Sequence, residues 1–130
     1  MEQKIFGVHH IALKACGMAD YEKTIKFYHE ILGMPIVRTW GEGKSAMLDT
    51  GSGLMEIFAN GENYPGQGAI RHMAFAVKDV DACVEAVRAA GYEITIEPKD
   101  IVIGSNPPYP ARIAFCIGPV GEEIEFFAEK

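Results

Sequence analysis

The sequence is short of basic charge, of cysteine and of long apolar runs, and each shortage removes a class of function. With Lys and Arg at 12 against 18 Asp and Glu, the formal net charge is −6. That leaves no positive field to draw in a phosphate backbone, and no Lys/Arg cluster interleaves with aromatics, so nucleic-acid partners are excluded. The 3 cysteines, Cys16, Cys83 and Cys116, are odd in number, widely spaced and set among mostly apolar neighbours. They form neither a disulfide framework nor a CxxC metal knuckle, and are expected to be small core residues. No apolar run approaches the ~20 residues of a membrane span. The opening Met1-Glu2-Gln3-Lys4-Ile5-Phe6 has neither the basic stretch nor the long apolar stretch of a secretory leader, so a cytoplasmic protein with no membrane partner is expected.

What the chain does have is an internal repeat. His10-Ile11-Ala12-Leu13 recurs as His72-Met73-Ala74-Phe75, and Met55-Glu56-Ile57-Phe58-Ala59 recurs as Ile124-Glu125-Phe126-Phe127-Ala128. A length of 130 residues with 48% hydrophobic content suits one compact domain built of two modules. Module one spans about 5–60, a turn-rich linker about 61–69, and module two about 70–129. In module one a strand over 5–15 precedes a helix with Asp20 as N-cap, Tyr21, Ile25, Tyr28 and Leu32 at helical spacing, and Gly33 at its end. Strands over 36–40, 45–49 and 54–60 follow. Module two repeats this order with a strand over 70–78, a helix burying Val80, Cys83, Val84 and Val87 and ending at Gly91, and strands over 93–97, 112–117 and 122–128. The stretch from Pro98 to Pro110 reads as a long loop of the kind that borders binding sites.

Residues two apart on a strand share a face. Ile11 and Leu13, with their counterparts Met73 and Phe75, form an apolar face suited to packing under the helices, as do Met55, Ile57, Ile124 and Phe126. The other face carries His10, Glu56, His72 and Glu125. A glutamate on an apolar strand is costly to desolvate unless it is paired or binds a metal, and here two occupy equivalent places. Two histidines and two glutamates in register across a repeat have the composition of a divalent-metal site. His9 has the opposite parity, and its counterpart is Arg71, which supports a structural or surface role for His9.

Together with Ile25-Lys26-Phe27-Tyr28-His29-Glu30-Ile31-Leu32-Gly33-Met34, Arg38-Thr39 and Gly121-Glu122-Glu123-Ile124-Glu125-Phe126, these segments resemble the vicinal oxygen chelate superfamily, and within it glyoxalase I, over about Val8 to Glu129. The resemblance implies an α+β fold in which two tandem βαβββ modules form an open, barrel-like mixed sheet. It implies a homodimer with sites shared across the subunit interface. It also implies one divalent ion per site, held by His10, Glu56, His72 and Glu125, with nickel or cobalt favoured and zinc, manganese or iron left open. The implied reaction converts the hemithioacetal of a 2-oxoaldehyde and a thiol into a 2-hydroxyacyl thioester through an enediolate. Glu125 would be the base and Glu56 its partner, while Arg38 and Asn60 match residues that hold the thiol conjugate. Gly68 and Ile117-Gly118-Pro119-Val120-Gly121 depart from the glyoxalase pattern, so the thiol stays open. The rival readings are an isomerase or epimerase acting on another acyl thioester, and a non-enzymatic binding protein of the bleomycin-resistance type.

Overall fold

In the computed structural model, residue 4 and residues 7–62 and 71–130 are described. Ile5, Phe6 and Ile70, at the starts of two expected strands, and residues 63–69 of the expected linker, Gly68 included, lie outside the described residues. The chain divides into two compact units, Met1–Asn63 and Tyr64–Lys130.

The first unit holds β1 (His10–Lys14), α1 (Met18–Ile25) continued by a π-helical stretch (Lys26–Ile31), β2 (Ile36–Trp40), β3 (Ser45–Asp49) and β4 (Leu54–Phe58). Its four strands form one mixed sheet in the order β1-β4-β3-β2, with β1 parallel to β4 and the other pairs antiparallel. The apolar face expected from strand parity is present on β3 and β4, where Leu48, Met55 and Ile57 are fully buried. On β1 it is incomplete, because Ile11, the partner of Met55, is exposed and Leu13, the partner of Ile57, is half-buried. Helix packing differs from expectation in its details. The helix begins at Met18, with Gly17 at the N-cap, and Asp20 sits in the first turn, where its carboxylate accepts the Cys16 N–H at 2.8 Å. A side chain that short serves an orphan donor from inside the turn as well as from the cap position. The buried stripe is Tyr21, Thr24, Phe27 and Tyr28, with Ile25 and Leu32 half-buried. The wider π turn brings the consecutive residues Phe27 and Tyr28 both inward, and Thr24 is accommodated because its hydroxyl donates to the Asp20 carbonyl at 2.7 Å. Gly33, at φ +78°, lets the chain leave the helix in a left-handed turn, as expected.

The second unit repeats the plan with β5 (Met73–Ala76), α2 (Val80–Ala89), β6 (Ile94–Ile103), β7 (Tyr109–Ile117) and β8 (Glu123–Glu129), in the sheet order β5-β8-β7-β6. Asp79 caps α2 by accepting the Ala82 N–H, and Val80, Val84 and Val87 are buried on its inner face. The long loop expected over 98–110 is not there. β6 runs through Pro98 to Ile103 and β7 starts at Tyr109, which leaves only residues 104–108 as the turn. Proline is tolerated because β6 is the edge of the sheet and the register shifts between Ile96 and Lys99, so Pro98 falls where no ladder donor is needed. Among the described residues no helix is long and apolar enough to cross a membrane.

Candidate functional site

In the first unit a row of cross-strand neighbours runs Ala12, Glu56, Met47, Arg38 over all four strands. Register partners share a face, so Arg38 is on the side of Glu56, two strands or about 10 Å away. His10 stands two residues before Ala12 and therefore on that same face, with its Nε2 at 3.7 Å from Glu56 Oε1. Gly53 helps to seat this corner. A Cβ there would meet the Val8 carbonyl oxygen at 2.9 Å, and the next residue, Leu54, donates its N–H to His9 at 3.0 Å.

The second unit has the equivalent row, Ala74, Glu125, Phe115, Ile96. His72, just ahead of β5, reaches Glu125 Oε1 with Nε2 at 3.1 Å. Here the surroundings are more apolar. Phe115 is buried next to Glu125 and meets the His72 ring edge-on at 5.2 Å, and Ala111 and Ile113 extend the buried patch along the same face. Glu125 is itself buried, at 9% exposure, while Glu56 is half-buried between Met47 and the exposed Ala12.

The structure thus brings together His10 with Glu56 and His72 with Glu125, and among the described residues it gathers no group of three or more His, Cys, Asp or Glu suited to a metal ion. Each pair nevertheless fits adjacent ligation. Two donors bonded at about 2.1 Å and at right angles on one ion lie about 3.0 Å apart. The 3.1 Å of His72 and Glu125 meets this directly. The 3.7 Å of His10 and Glu56 asks for a small turn of an imidazole that is 40% exposed. His29 is engaged elsewhere, with Nδ1 at 2.7 Å from the Met34 carbonyl.

Asn60 continues the face of Glu56 and Phe58 past the end of β4, held by a bridge to Cys16. It lines a cavity of about 460 Å³ together with Phe58, Ser45, Met18 and Lys44. Lys44 did not stand out in the sequence because it sits in the β2–β3 turn among glycines, where a lysine usually signals only solvent. Two further contacts went unread in the sequence. His9 Nδ1 lies 2.9 Å from His10 Nδ1, and Arg71 Nη1 lies 3.2 Å from His72 Nδ1. The repeat does signal them, since both residues immediately precede a candidate ligand. All three cysteines are free thiols; Cys116 is fully buried, with its thiol pushed up to about 12 by burial, while Cys16 and Cys83 are half-buried and not core.

The chain is similar to lactoylglutathione lyase from Haemophilus influenzae, with 32% identity over 87% of each chain. It is 30% identical to the uncharacterized protein YwkD of Bacillus subtilis, over 94% of this chain and 96% of that one. Its fold is that of the fosfomycin resistance protein FosX from Listeria monocytogenes, at a TM-score of 0.72 and 19% identity, covering 97% of this chain and 95% of that one. The family model described as Glyoxalase/Bleomycin resistance protein/Dioxygenase superfamily matches residues 7–126, and the chain belongs to that superfamily.

Proposed function

We propose that this chain is a divalent-metal-dependent, glyoxalase I-like lyase that isomerises the hemithioacetal of a 2-oxoaldehyde and a thiol to a 2-hydroxyacyl thioester. The observation that carries the reading is the repeated pair: His10 with Glu56 and His72 with Glu125, each at the equivalent place in its sheet and each spaced for adjacent ligation. In this reading the four side chains hold one ion, nickel or cobalt by preference, in a cytoplasmic homodimer whose subunits share the sites. The relatives named lactoylglutathione lyase support the same activity.

A bound divalent cation supplies Lewis-acid stabilisation for the negative charge that develops on the substrate oxygens. The chain's own groups do the rest. The Glu125 carboxylate takes the proton from C1, the electrons of that C–H bond form the enediolate, and the protonated Glu125 returns the proton to C2, while the hydroxyl proton on the C1 oxygen passes to the C2 oxygen. The carbon that loses the proton ends as the thioester and its neighbour as the alcohol, so no outside oxidant is required. Phe115 and Ile113 keep water from competing for that proton, because both are buried on the Glu125 face. Arg38, Asn60 and Lys44 hold the polar ends of the thiol conjugate along the face that leads away from Glu56. Metal-stripped protein reconstituted with nickel, cobalt, zinc or manganese should turn over the methylglyoxal–glutathione hemithioacetal only when an ion is present. Turnover unaffected by stripping would overturn the reading.

A further inference from the structure

The two histidines meet different partners at Nδ1, and the chemistry of those partners is unequal. A histidine that ligates through Nε2 must carry its proton on Nδ1. Arginine has only donors, so Arg71 Nη1 at 3.2 Å from His72 Nδ1 requires that nitrogen to accept. The His72 proton is then on Nε2, where it donates to Glu125 Oε1 at 3.1 Å. This is the tautomer in which Nε2 has no lone pair to give. His9 imposes no such restriction, because a neutral imidazole nitrogen accepts as well as donates. His10 Nε2 stands 3.7 Å from Glu56, too far for a hydrogen bond, so the His10 proton finds its partner at Nδ1, 2.9 Å from His9 Nδ1. That tautomer leaves Nε2 bare and facing Glu56.

We propose that Arg71 and His9 are positioning residues that set the two pairs differently: His9 holds His10 ready for ligation, and Arg71 holds His72 closed until its guanidinium moves away. The move has a destination and little to hinder it. Glu123 Oε1 lies 3.6 Å from Arg71 Nη1, and the Arg71 side chain is 64% exposed. An ion bound at His72 would take the Nε2 lone pair, with the His72 proton on Nδ1 and Arg71 left on the Glu123 carboxylate that its Nη1 already reaches at 3.6 Å. The inference rests on the reading that His10 and His72 are ligands, and its test separates the two.

Full-length protein labelled with nitrogen-15 reports the tautomer of each histidine through its ring-nitrogen shifts. Without metal, His10 should show the proton on Nδ1 and His72 on Nε2. With zinc, both should show it on Nδ1. Arg71→Gln offers His72 Nδ1 an acceptor in competition with Glu125 at Nε2, so the share of His72 with its proton on Nδ1 should rise before any metal is added and zinc should bind roughly tenfold more tightly. Arg71→Met removes the same charge without the acceptor and separates tautomer from simple repulsion, since it should free His72 without driving it to the Nδ1 proton. Metal-free wild type with the His72 proton already on Nδ1 would overturn the proposal while leaving the metal site intact. If zinc leaves both histidines unchanged, the ligand reading falls and this inference falls with it.

Discussion

Glu56 and Glu125 occupy equivalent places on their strands and meet unequal surroundings, and the proposed division of the two into partner and base leans on that difference. Glu125 lies beside the buried Phe115, whereas Glu56 lies between the half-buried Met47 and the exposed Ala12. That each repeat sets one histidine near one glutamate was legible in the sequence because the repeat doubled each signal. The contacts of Arg71 and Lys44 were not, since they depend on where a long side chain ends rather than on where its Cα lies. Lys44 gives the residue-scale prediction. Its ammonium at the cavity is suited to a carboxylate of the thiol conjugate, so Lys44→Ala and Asn60→Ala should each raise KM about five- to tenfold with kcat little changed, the signature of lost uniform binding. Steady-state rates over a range of hemithioacetal concentration check this, and a fall in kcat at constant KM would remove both residues from substrate binding.

At the scale of elements, the first sheet matched its sequence pattern closely, with β2 and β3 at the expected residues, because glycine turns punctuate it and each strand alternates. β6 and β7 were misjudged for the opposite reason. Prolines that would break a central strand are harmless on an edge, and nothing local announces which strand is the edge. The longer hairpin brings Asp100 opposite Arg112, which also grips Asp81 of α2 at 2.7 and 2.9 Å and so ties helix to sheet. Arg112 holds the Asp81 carboxyl below the usual range through its hydrogen bonds, and Lys130 followed by Arg112 does the same for Asp100. A carboxylate whose folded pKa is depressed adds stability above its unfolded pKa and loses it as pH falls through the folded value. Arg112→Met should therefore melt lower than wild type at pH 7. The gap should close as pH drops below the ordinary aspartate pKa of about 3.9. Thermal melts across that range check the sign, and a gap that persists undiminished in acid would assign the loss to packing of the arginine stem.

At the scale of the molecule, repetition is what made the fold readable. Each unit carries one helix and one four-stranded mixed sheet, and each places one histidine beside one glutamate at equivalent positions. A pair offers two donors and a divalent ion of this class takes more, so the central claim is that both pairs serve the same ion. The direct measurement is a calorimetric titration of metal-stripped wild type, Glu56→Gln and Glu125→Gln with nickel. The account predicts one ion per chain in the wild type and at least a hundredfold weaker binding in each variant, since either substitution breaks the same site. Two ions per chain, or one variant binding as tightly as the wild type, would contradict it.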